Sequence, residues 1–187
     1  MNVSVRLAGM AAAVLGLGMI VSAAAPAGAQ ATDVVGAASV SLADTMRGKP
    51  LADQVAAYER TETDNQEQDC LASAVYFEAR GESLEGQLAV AEVVLNRARS
   101  GKYPTTLCGV VEQPWQFSFV NRTGRIPAAN RSSDAWSKAV AIARIAQDEV
   151  TDQLTSDVLW YHADYVAPSW GRRLNRTTKI GLHIFYR

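Results

Sequence analysis

The segment that most restricts the fold runs from Ser83 to Ala98. Leu84, Leu88, Ala91, Leu95 and Ala98 recur at helical spacing, and Val90, Val93 and Val94 widen the apolar stripe. A helix with so broad an apolar surface must be covered on most sides, so other elements have to wrap around it. Ser83 is its N-cap candidate. Three further helices are expected. One covers residues 68–80, with Leu71, Ala74, Val75 and Glu78 at helical spacing and Gly81 as a natural stop. A short one covers 106–112. The last covers 134–150, capped by Ser133, with Trp136, Val140 and Ala143 on one row and Ala139, Ile142 and Ala146 on the next. Beyond it, residues 157–162 and 180–186 are rich in β-branched and aromatic types and read as strands. Helices followed by a small C-terminal sheet make an α+β chain.

The chain preceding this region divides in two. Residues 1–29 hold one charged residue, Arg6, then an apolar run, then Ala27-Gly28-Ala29. Charged start, apolar middle and small-residue end predict a secretory signal peptide, cleaved before Gln30. Gly16, Gly18 and Pro26 weaken the alternative, a retained membrane anchor. Residues 30–69 carry eight acidic and three basic residues, with Tyr58 the lone aromatic. They are expected to form an acidic flexible linker, with a short helix around Leu51 to Tyr58. The folded domain is then 70–187, with fourteen basic and eleven acidic residues. That mild positive excess suits an anionic polymer and is too small to argue for nucleic acid. Secretion also explains the cysteines. Cys70 and Cys108 are the full complement, and in an oxidising compartment they are expected to pair.

Chemistry concentrates around Glu78. The residue falls in the last turn of its helix, where carbonyl dipoles converge and disfavour negative charge. That suits a group that must hand over a proton. The bland alternative is a surface ion pair with Arg80 or Arg97. Glu82 and Glu85 are the nearest second carboxylates, and a structural role for Glu82, capping or pairing, is the simpler one. Trp115, Phe117, Tyr161 and Trp170 are aromatic candidates for lining a cleft. Gln87 and Gln116 could hydrogen-bond a polar ligand there. From this set Gln116, Tyr161 and Trp170 are assigned to a cleft, with Gln87 and His183 as further substrate contacts, and Trp136 to the core. Glu78, His162 and His183 contain a two-histidine, one-carboxylate set, but no short ligand motif. No metal and no cofactor are expected.

Several blocks together resemble one family. They are Glu78-Ala79-Arg80-Gly81-Glu82, then Gly86-Gln87-Leu88-Ala89-Val90-Ala91, then Val94-Leu95-Asn96-Arg97. They continue as Gln116-Phe117-Ser118, Trp160-Tyr161-His162-Ala163, Val166-Ala167-Pro168-Ser169-Trp170, and Ile180-Gly181 followed by His183, Phe185 and Tyr186. Order and spacing resemble the SleB/CwlJ cell-wall hydrolases, known as spore cortex-lytic enzymes. The resemblance implies a compact α+β domain with a lysozyme-like helical core. It also implies that the first glutamate of E-A-R-G-E, Glu78 here, is the catalytic acid. The implied function is a lytic transglycosylase cutting peptidoglycan glycan strands to leave 1,6-anhydro ends. The alternatives are a hydrolytic muramidase or glucosaminidase, and a non-catalytic glycan-binding protein. The expected partner is peptidoglycan, met by a monomer in the periplasm or outside the cell, without stable membrane insertion after signal cleavage.

Overall fold

The computed structural model describes residues 40–187. The expected signal peptide and residues 30–39 of the expected linker lie outside the described residues. Six α-helices come first: α1 Leu42–Met46, α2 Leu51–Tyr58, α3 Gln66–Ala79, α4 Leu84–Arg99, α5 Leu107–Val111 and α6 Asp134–Gln147. Three strands follow: β1 Trp160–Ala163, β2 Arg176–Ile180 and β3 His183–Tyr186, with a 3-10 turn Ser169–Arg173 between β1 and β2. The chain is α+β, as its periodicities predict. The starts of α3, α4, α5 and α6 are chemically marked. Asn65, Ser83, Thr106 and Ser133 each accept a backbone N–H three residues on through a side-chain oxygen.

The α4 helix is buried from Gly86 through Arg97 without interruption. Leu88, Ala91, Val94 and Leu95 face the main core with Trp136, Ile142 and Leu71 from α3 and α6. Ala89 and Val93 face the other way, onto Val158 and Phe185 at the sheet. One helix therefore serves two cores, which is why its apolar stripe is so wide.

The expectation of a flexible linker over 30–69 fails for its second half. The short helix is present as α2, and its Val55 and Tyr58 are each only 3% exposed, within the main core. Its acidic residues are structural partners of cations on and before α6. Asp64 pairs with Arg144 at 2.6 Å and Asp69 with Arg131 at 2.7 Å. Trp136, fully buried as assigned, donates its indole N–H to the carbonyl of Thr61 at 2.8 Å. Two apolar residues one turn apart were too few to register as periodicity, and the charges read as solvation. Cys70 and Cys108 are bonded, tying α3 to α5. Glu67 reinforces that tie by accepting the backbone N–H groups of Leu107 and Cys108 at the start of α5.

The sheet is antiparallel in the order β1-β3-β2. Strand β2, Arg-Thr-Thr-Lys-Ile, was not expected: it is an exposed edge whose charges lack an alternating apolar pattern. The run 180–186 is broken by a hairpin turn at Gly181-Leu182, where Gly181 has φ +55°. The register places Tyr161, His183 and Phe185 on the face toward α4, and His162 and Tyr186 on the other.

Removing residues 30–64 is therefore expected to destabilise the domain rather than leave it intact. Val55 and Tyr58 alone should cost more than about 3 kcal/mol. Equilibrium urea unfolding of the truncated and full mature chains measures this, and equal stabilities would show that α2 is dispensable. A pH effect is expected from Glu92 on α4. Its burial raises its pKa to about 7, against the lowering effect of hydrogen bonds from Gln153 and Leu154, with Asp152 adding to the rise. The folded state then holds a proton that the unfolded state releases, so stability falls as pH rises from the ordinary value of 4.5 to about 7. The full amplitude is about 3 kcal/mol. Unfolding midpoints across that window should fall for the parent chain and stay flatter for Glu92→Gln.

Candidate functional site

Helix α3 ends at Ala79, and Glu78 projects from its last turn into a cleft of about 330 Å³. The side chain is partly exposed. Ser118 donates to Glu78 Oε1 twice, through its backbone N–H at 3.3 Å and its hydroxyl at 3.1 Å. The Tyr161 hydroxyl donates to Oε2 at a longer 3.4 Å. Burial first, and the Glu78 carboxylate second, push the Tyr161 phenol far above its ordinary range, so it remains a proton-bearing donor. Glu78 makes no ion pair among the described residues. Arg80 lies over the ring of Tyr76 at 4.8 Å instead.

Arg97 contributes differently from the surface partner considered for it. It is buried on α4, lines the cleft, and donates from Nε to the carbonyl of Leu159 at 2.8 Å. Its guanidinium lies over Tyr103 and Phe117, and its Nη1 has no hydrogen-bond partner among the described residues. A cation inside an apolar helical stripe was the signal available for it. Ser118 was also unassigned. Its signal was the alternation of Gln116-Phe117-Ser118, which buries Phe117 and leaves its two neighbours exposed.

The remaining assigned residues separate. Gln116 is exposed and lines both the Glu78 cleft and an adjoining hollow of about 410 Å³. Trp170 lines that hollow with Tyr103 and Trp160, its ring edge-on to His162 and Tyr186. His183 lines the Glu78 cleft beneath Tyr161, ring edge to ring, and burial lowers its pKa against the raising effect of Glu82 and Glu78. Gln87 does not reach the cleft, correcting its assignment as a substrate contact. It is 5% exposed in the first turns of α4, and its Nε2 donates to the carbonyl of Glu82 at 3.1 Å. A polar residue in an apolar stripe suits either a ligand contact or a structural brace, and Gln87 braces the α3–α4 turn.

Glu82 faces away from the cleft, with its side chain 9% exposed beside His183. Its Oε2 accepts the backbone N–H of Leu182 at 2.9 Å, in space that any side chain at Gly181 would fill. It therefore pins the β2–β3 turn. His162 engages both ring nitrogens, with the Ala163 carbonyl at 2.8 Å and the Tyr186 hydroxyl at 2.9 Å. His162 and His183 both line the Glu78 cleft, although the β1–β3 register places their side chains on opposite faces of the sheet.

A family model described as Cell Wall Hydrolase matches residues 81–186. The spore cortex-lytic enzyme of Bacillus cereus is 37% identical over 116 residues, covering 62% of this chain and 42% of that protein. The spore cortex-lytic enzyme of Bacillus subtilis is 37% identical over 118 residues, covering 62% and 35%. The chain thus spans less than half the length of these relatives. Among solved structures, the catalytic domain of the germination-specific lytic transglycosylase SleB from Bacillus anthracis is 34% identical. The match covers 66% of this chain and 96% of that domain, with a TM-score of 0.50.

The two glutamates of one short motif should respond differently to substitution. Glu82→Ala removes the acceptor for Leu182 N and should lower stability by about 1–3 kcal/mol. Glu82→Gln keeps an oxygen acceptor and should recover most of that loss. Thermal unfolding of both variants tests this, and equal melting temperatures for parent and Glu82→Ala would remove the pinning role.

Proposed function

We propose that this chain, which belongs to the cell wall hydrolase family, is a lytic transglycosylase that cleaves the β-1,4 bond between N-acetylmuramic acid and N-acetylglucosamine. The observation that carries the reading is the carboxylate inventory of the cleft. Among the described residues lining it, Glu78 is the sole acid, and Glu82 is committed to the hairpin. A paired-carboxylate glycosidase needs a second acid across the scissile bond. A single carboxylate suits a reaction in which the sugar supplies its own nucleophile. The relation to the SleB catalytic domain supports the same class.

In this mechanism, protonated Glu78 donates to the glycosidic oxygen as the bond from that oxygen to muramyl C1 breaks. The resulting carboxylate accepts the proton of the muramyl 6-hydroxyl while O6 bonds to C1. The products are a free 4-hydroxyl and a 1,6-anhydro ring, and Glu78 is protonated again with no water consumed. Ser118 holds Oε1 with two donors, which fixes the carboxyl plane. Oε2, whose one hydrogen bond among the described residues is the long Tyr161 contact, is the oxygen left for substrate. Both donors stabilise the negative charge that appears between the two proton transfers. The unpartnered Arg97 Nη1 offers a donor to a substrate oxygen on the cleft wall. Trp170 and Gln116 extend the surface along a glycan strand.

Action outside the cytoplasm follows from the signal peptide expected over residues 1–29 and agrees with the Cys70–Cys108 bond. No helix among the described residues is long and apolar enough to cross a membrane.

Glu78→Gln retains an oxygen for Ser118 but no transferable proton. Turnover of purified peptidoglycan should fall at least about a hundredfold, with the melting temperature nearly unchanged. Mass spectrometry of the parent digest should show 1,6-anhydro ends. Reducing ends would indicate water as nucleophile, and near-normal turnover in folded Glu78→Gln would refute the assignment of Glu78.

A further inference from the structure

The loop between α5 and Ser118 carries a feature that cleavage at Glu78 does not require. Trp115 has φ +71°, in the left-handed region, and its side chain is 80% exposed. Bulky residues avoid that conformation because Cβ crowds the backbone. Glycine would occupy it without strain. The indole does not offset the strain by packing in a core. Among the described residues its ring meets the Arg122 guanidinium, 5.8 Å from the ring centroid. An exposed cation–π pair is a weak return for such a backbone. Folding therefore gives no reason for a tryptophan here, and strained positions of this kind concentrate where a ligand is met.

The neighbours of Trp115 say where that ligand runs. Gln116, next in the chain, lines the Glu78 cleft. Pro114, on its other side, lines a separate open concavity of about 970 Å³ whose wall includes Arg122 and Arg125. Trp115 thus stands between the two hollows. Ser118, which holds Glu78, is three residues away, within about 10 Å along the chain. A glycan strand leaving the cleft in this direction crosses the indole.

We propose that Trp115 is a stacking platform for a sugar ring of the glycan strand beyond the Glu78 cleft, with Arg122 beside it to meet that sugar's oxygens. The proposal rests on the glycan-cleaving reading above. A pyranose ring presents an apolar C–H face to an aromatic plane and polar groups at its edge, which matches an indole bordered by a guanidinium. The surroundings favour a sugar over a lipid or protein partner. Gln113, Gln116 and Arg122 are polar, so the exposed apolar surface is one ring and not a patch.

The test uses full mature chain carrying Glu78→Gln, so that binding is read without cleavage, and purified sacculi as the probe. Adding Trp115→Ala should weaken the apparent Kd about fivefold to tenfold, an effect on the order of one aromatic stacking contact. Trp115→Gly should weaken binding equally while leaving Tm equal or raised by about 2 °C, since it relieves the backbone. Sacculus binding within twofold of the parent in both variants would overturn the proposal. So would a parent that does not bind sacculi. A Tm drop of more than about 4 °C in Trp115→Gly would also overturn it, by making the indole a folding element. If the substitutions abolish binding to phosphatidylglycerol vesicles and spare sacculi, the partner is a membrane and the proposal fails. Failure of the transglycosylase reading would appear separately, as absent or reducing-end products from the parent chain with Glu78 intact.

Discussion

The site depends on a set of polar side chains placed inside a helix that has no solvent-facing side. Glu92, Asn96 and Arg97 lie within the buried span of α4, where an unpartnered polar group costs on the order of 1–3 kcal/mol. Their partners are backbone groups of residues 153–159. Glu92 accepts from Gln153 and Leu154 at 2.8 Å each, Asn96 donates to the carbonyls of Thr155 and Val158, and Arg97 donates to that of Leu159. The segment entering β1 is irregular and could not satisfy itself. Helix and segment thus satisfy each other, and the register of that contact fixes where β1 begins. Tyr161, two residues past the last clamped carbonyl, is delivered to Glu78 as a result.

The turn between α3 and α4 divides one short motif between two environments. Glu78 lies in the last turn of α3 and opens to the cleft, while Glu82 enters the space vacated at Gly181. Glu82 locks β3 from its start through Leu182, and His183 then supports Tyr161 from beneath. The two carboxylates act on the same phenol from opposite ends, one as its hydrogen-bond partner and the other by anchoring the strand under it. That arrangement keeps Glu82, four residues from Glu78 in the chain, out of the lining of the cleft.

Local chemistry made much of this visible in the sequence. Ser83 and Ser133 announced α4 and α6, the period of 3.6 gave the helical faces, and Trp136 belonged to the core by its place on a continuous apolar row. What stayed hidden depended on partners far along the chain. Strand β2 owes its existence to pairing with β3, and nothing in Arg-Thr-Thr-Lys-Ile announces a strand. The acidic stretch leading into α3 is structured because Val55 and Tyr58 enter the core and because Arg131 and Arg144 lie where Asp69 and Asp64 can meet them. Gln87 was misread because a buried amide and a ligand-binding amide look the same until the nearest backbone carbonyl is known. The cleft was legible as a list of residue types, whereas Ser118 and Arg97 needed three-dimensional proximity.

The loop from α5 to Ser118 shows how a strained surface position can persist. Its origin is held to the start of α3 by the Cys70–Cys108 bond and by Glu67 at the α5 N-terminus. Its far end is held to the last turn of the same helix, where Ser118 bonds Glu78 and Phe119 stacks on Phe77 at 4.9 Å. Phe117 anchors the middle in the core, under the Arg97 guanidinium. With both ends and one interior point fixed to a single rigid helix and its core, the few remaining residues have little freedom to relax. A left-handed Trp115 survives where the surrounding contacts over-determine the backbone. The disulfide is thus more than a general staple. It fixes one end of the span that carries both the donor holding Glu78 and the exposed indole, so the geometry at the Glu78 carboxylate and the height of the ridge beside it are set by the same constraint.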